Sequence, residues 1–193
     1  MSVVDAVAKP LLRGWLHAIC FFLALPTAVW VVVGAPTTKA RAGAVVYGFG
    51  LVALFGVSGA YHRGRWRPAW RMRMKRLDHA TIFVMIAGSY TPICLLVLRG
   101  WSSIALLASV WVTATVGAVL SFLRGKRVEL ASNVLYIALG WSVLLAGPQL
   151  LRNLPTSDLA LLVAGGALFT IGAVTLAVRW PDPHPRVLGY HEV

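Results

Sequence analysis

Ser58 and His62 stand four residues apart in "SGAYHRGRW", Asp78 lies in "RLDHATIFVMIAGSYTP", and His191 sits in the closing "RWPDPHPRVLGYHEV". Imidazole is a common metal ligand and proton carrier. A carboxylate can accept a proton, and a nearby hydroxyl can donate to developing negative charge. Together these types suit a metal or acid–base centre. On a helix, residues four apart share a face, with Ser58 about 6 Å deeper than His62. Each residue also has an ordinary role open to it. Ser58 could bond a carbonyl one turn back, His62 could be an interfacial residue at a helix end, and Asp78 could cap the next helix. Convergence at one depth of a membrane is what would favour function, because polar groups are costly there. His79 follows Asp78 and points about 100° away around a helix, which suits packing or outer support. His17, alone in the first apolar run, and His184, in "PDPHPR", receive no role.

The elements that must carry these residues follow from composition. Of the 193 residues, 59% are hydrophobic and only 12% charged, against about 25% charged in ordinary soluble domains. The surplus apolar surface must face lipid. Six runs approach the roughly 20 residues that span a bilayer: 15–33, 43–61, 80–98, 101–122, 131–151 and 159–178. The first is too long for a signal peptide's apolar region and five similar runs follow it, so it reads as a membrane helix. Pro26, Pro92 and Pro148 lie within or near the ends of runs, where membrane helices tolerate bends. Trp66, Trp70, Trp101, Trp141 and Trp180 lie near span ends, as an interfacial belt requires. Cys20 and Cys94 fall inside apolar runs, which favours packing over a disulfide. The expected fold is an all-α polytopic membrane bundle in a single domain, residues 1–193.

Charge sets the orientation. Placing the N-terminus, the 2–3 and 4–5 connections and the tail on one side gives fourteen Lys and Arg there, seven of them between Arg63 and Arg76. The other side has four: Lys39, Arg41, Arg99 and Arg152. That bias predicts a cytoplasmic N-terminus. His62, Asp78 and His191 then share the cytoplasmic face. The net charge of +12 reads as loops held against anionic lipid, not as a nucleic-acid surface, because the basic residues sit between apolar runs.

"SGAYHRGRW", "RLDHATIFVMIAGSYTP", "LYIALGW" and "RWPDPHPRVLGYHEV" together resemble the hemolysin III branch of the adiponectin and progestin receptor (PAQR) family, in order along nearly the whole chain. The resemblance implies seven helices, a cytoplasmic N-terminus and a zinc ion near the cytoplasmic face. Carried over by motif, His62 resembles the helix 2 ligand and His191 the first histidine of an H-x-x-x-H on helix 7. Asp78 would orient or deprotonate the zinc-bound water, with Ser58 beside the metal. The chain departs from that pattern at "GYHEV", where the second histidine has no position. Two histidines remain where a catalytic zinc takes three protein ligands and a water, so residues 179–193 read as the start of a seventh helix whose remainder is missing. The resemblance implies a multi-pass protein of the bacterial plasma membrane, acting as a zinc-dependent hydrolase of a lipid amide or ester. The alternatives are a receptor-like or regulatory protein with structural zinc, and a membrane-lytic hemolysin.

Overall fold

The computed structural model describes residues 10–123 and 125–178, and in the tail residues 180, 181, 184 and 187. His191 lies outside the described residues, as does most of the stretch read as the start of a seventh helix. Among the described residues, six stretches are long and apolar enough to cross a membrane, the number that hydropathy predicts.

Helix α1 spans Trp15–Gly34 and α2 spans Thr38–Arg63. The second begins five residues before its apolar run because Thr37 caps it: the hydroxyl accepts from Ala40 N at 3.1 Å. Helix α3, Pro68–Leu96, begins twelve residues before the run at 80. Hydropathy marks only the part inside the bilayer. Pro68 in the first turn and the helix formers of "RMRMKR" extend the helix beyond it. Asp78 is therefore about 15 Å along α3 and cannot cap it.

Helices α4, Trp101–Leu120, and α5, Lys126–Trp141, follow. The fifth span is interrupted by a 3-10 turn, Ser142–Ala146, before α6, Gly147–Asn153. Pro148 lacks the N–H that would bond Leu144, so the continuous helix breaks there. Helix α7, Thr156–Val178, is the sixth span.

Helix α2 packs between α1 and α3, and α4 packs on α3. The apolar core gathers Phe83, Ala87, Val110, Ala114 and Leu139. A Cβ at Gly117 would fall 2.2 Å from the Phe83 ring, so α4 reaches α3 only through glycine. Tyr90 Oη donates to Leu139 O at 2.8 Å, and Trp111 Nε1 donates to Thr91 Oγ1 at 3.1 Å, pairing the buried polar atoms of the core. The outer faces expose Phe22, Trp30, Leu161 and Leu168. Such faces match lipid and would be anomalous against water.

Candidate functional site

Three helix segments meet at one end of the bundle. The last turns of α2 bring Ser58 and His62, the third turn of α3 brings Asp78, and the start of α1 brings Arg13 and His17. His62 Nε2 faces Asp78 Oδ2 at 3.7 Å, with the two side chains only 6% and 13% exposed. That separation is an ion-pair distance, beyond hydrogen-bond length. The approach of α1 to α2 at this end depends on Gly14. Its φ of +79° is left-handed, and a Cβ there would sit 2.6 Å from the His62 Cβ.

Ser58 is buried and does not follow its ordinary role. Its Oγ lies 2.7 Å from His17 Nδ1 on the neighbouring helix. The Asp78 carboxylate lies near the same hydroxyl, and near His79, His17 and Arg13. A hydroxyl has one hydrogen to give and two lone pairs. When Asp78 takes the Ser58 hydrogen, His17 donates to Ser58, and the three groups form one chain.

Arg13 Nε donates to His62 Nδ1 at 3.4 Å. With Nδ1 accepting, the ring hydrogen belongs on Nε2, aimed at Asp78. His79 turns away as its place in the helix predicts, its Nδ1 donating to Lys75 O at 2.7 Å.

The donor set suits a zinc-type cation in one respect and resists it in another. Zinc binds imidazole and carboxylate at about 2.0–2.2 Å, so atoms on one ion lie within roughly 4.3 Å of each other. His62 Nε2 and Asp78 Oδ2 meet that limit. A metal-bound histidine, however, usually donates its other N–H to an acceptor, and here Nδ1 meets a guanidinium. Arg13 must shift for His62 to bind a metal through Nε2. Among the described residues, no group of three or more His, Cys, Asp or Glu is arranged to hold an ion. Val187 of the tail lies at this end, where its carbonyl accepts from Leu12 N at 3.1 Å.

The haemolysin-III related family profile matches residues 6–193. The chain belongs to that family. It is 33% identical over 161 residues to Hemolysin-3 of Bacillus cereus, covering 82% of this chain and 73% of that protein. It is 29% identical over 161 residues to the Hemolysin-3 homolog of Bacillus subtilis, covering 82% and 75%. The human Monocyte to macrophage differentiation factor is 28% identical over 133 residues, covering 67% of this chain and 55% of that protein. No solved structure matches significantly.

In this haemolysin-III family member the structure brings Ser58, His62 and Asp78 together, as their spacing and the helix directions predict. It also corrects the reading of His17, which has a definite partner in Ser58. Two signals mark His17 in the sequence: it is an ionisable residue inside a membrane span, and it follows Arg13 by four residues, repeating the Ser58–His62 interval.

Proposed function

We propose that this haemolysin-III family member is a receptor-like or regulatory membrane protein that holds a zinc-type ion at its cytoplasmic rim. His62 and His191 are the ligands, with Asp78 and Ser58 beside them. The facing His62 and Asp78 atoms, buried and 3.7 Å apart, carry this reading. The cytoplasmic placement rests on the fourteen-to-four distribution of basic residues.

A bound zinc ion supplies a divalent charge that draws its ligands together, and Lewis acidity where a substrate can reach it. The chain's own residues do the rest. Asp78 sets a buried negative charge beside the ligand His62. Ser58 fixes one carboxylate oxygen, and His17 fixes Ser58 from α1. Arg13 donates to His62 Nδ1 and sets a positive charge there. Closing these contacts ties α1, α2 and α3 at one end, which suits a centre that sets helix spacing. The 2.7 Å contact between Ser58 and His17, which joins α2 to α1, supports a tie over a turnover site.

A second reading is a zinc-dependent hydrolase of a lipid amide or ester, with Asp78 accepting a proton and Ser58 donating to the oxyanion. The position of Asp78, buried ten residues into α3 and away from any capping role, favours it. Fatty-acid release from ester and amide lipids, with and without a chelator, separates the readings. The regulatory reading predicts no zinc-dependent release by the purified chain, with metal and fold retained in Asp78→Asn. Zinc-dependent release that Asp78→Asn abolishes while keeping its metal would replace it with the hydrolase. A lytic role, suggested by the name Hemolysin-3 of the Bacillus cereus relative, has less support, because a pore needs a polar-lined route and the core between the helices gathers apolar side chains such as Phe83, Val110 and Leu139. Dye leakage from liposomes at a low protein-to-lipid ratio would restore it.

A further inference from the structure

Next to the His17–Ser58 contact, along the same two helices, runs an open trough of about 220 Å³. Phe21 and Phe22 line it from α1, and Phe55, Ala60 and Arg63 from α2. From Phe55 to Arg63 it follows about 12 Å of helix. Its lining is almost wholly apolar except at the Arg63 end. There the guanidinium lies 3.6 Å from the Trp15 ring centre. Tryptophan favours the membrane–water boundary, and the cation–π contact holds the arginine at that level.

We propose that this trough binds one acyl chain of an anionic phospholipid from the surrounding leaflet, with the lipid phosphate on Arg63. The observations call for an occupant with two unlike ends. A free anion would satisfy the guanidinium and leave the phenylalanine-lined slot against nothing matched. A neutral lipid would fill the slot and leave the cation without its counter-charge. A phospholipid chain runs along the helices while its phosphate stays at the interface, the depth at which Trp15 fixes Arg63. Guanidinium presents paired N–H donors to phosphate oxygens. The proposal does not depend on a metal at the His62 centre.

The purified full chain, titrated with phosphatidylglycerol and phosphatidylcholine of identical chains and followed by native mass spectrometry, tests both ends. Phosphatidylglycerol is expected to bind tighter. Arg63→Gln should remove that preference, a change of roughly fivefold for one interfacial cation. Ala60→Phe, at an exposed position on the trough wall, should weaken both lipids equally by occupying the slot. Three results would overturn the proposal. One is unchanged binding of both lipids in Ala60→Phe. Another is loss of the preference in Arg65→Gln/Arg67→Gln with Arg63→Gln unaffected, which would move the phosphate to the α2–α3 turn. The third is glycerol phosphate binding as tightly as the intact lipid, which would reduce the site to an anion site.

Discussion

The two ends of the bundle use polar side chains in opposite ways. At the end where α3 finishes and α4 begins, Gln149 Oε1 accepts from Arg99 N at 2.9 Å, Gln149 Nε2 donates to Ser102 Oγ at 2.8 Å, and Asn153 Nδ2 donates to Val97 O at 2.8 Å. These contacts are exposed and mostly satisfy backbone groups left over at helix ends. At the other end, His17, Ser58, His62 and Asp78 engage one another across three helices, and Ser58 and His62 are almost wholly buried. Polar groups that close helix ends are accounted for by the fold. Polar groups buried against each other cost desolvation, and stability alone offers no reason to place four of them together in an otherwise apolar bundle.

Substitutions at the two ends should therefore separate in size. Asp78→Ala removes the carboxylate that faces His62 Nε2 in a buried site and should cost about 3 kcal/mol, read as a lowered midpoint of thermal unfolding in detergent. A cost below that of Gln149→Ala would erase the distinction between the ends. Gly14→Ala meets both a left-handed backbone and the His62 side chain, and a loss of about 2 kcal/mol is expected. If it unfolds like the parent chain, α1 does not depend on that close approach.

His17→Ala and Ser58→Ala should each cost about 1 kcal/mol. Because they share one contact, the double variant should cost less than the two losses added. Strict additivity would mean that the 2.7 Å contact contributes nothing of its own. Gln149→Ala, exposed and replaceable by water, should cost about 0.5 kcal/mol and leave metal affinity unchanged. A change in metal affinity there would link the far end to the centre, contrary to the contrast drawn between them.

Much of the architecture was legible in the sequence because lipid imposes a simple rule: a span needs a long apolar run. That rule places all six spans and misses what lies beyond the hydrocarbon, so the basic helical start of α3 at Pro68 is invisible to it. The rule also passes over the 3-10 turn before Pro148, where composition stays apolar while the hydrogen-bond ladder changes. The spacing of Ser58 and His62, with alternating helix direction, places them beside Asp78. Arg13 and His17 join through the packing of α1 on α2. No local pattern specifies that packing, although a histidine inside a span was itself a mark. Long-range pairs such as Tyr90 with Leu139 depend on register between helices and leave no trace in either segment.

Metal content tests the central claim most directly. The purified chain, dialysed against metal-free buffer and analysed for zinc, should carry about one ion per chain. His62→Ala should retain its helicity and less than roughly a tenth of the metal, because it removes one of the two histidines proposed to hold the ion. Arg13→Gln should bind zinc roughly fivefold more tightly by removing a nearby positive charge. A folded chain without zinc under zinc-replete expression, or a His62→Ala chain that keeps it, would contradict the account.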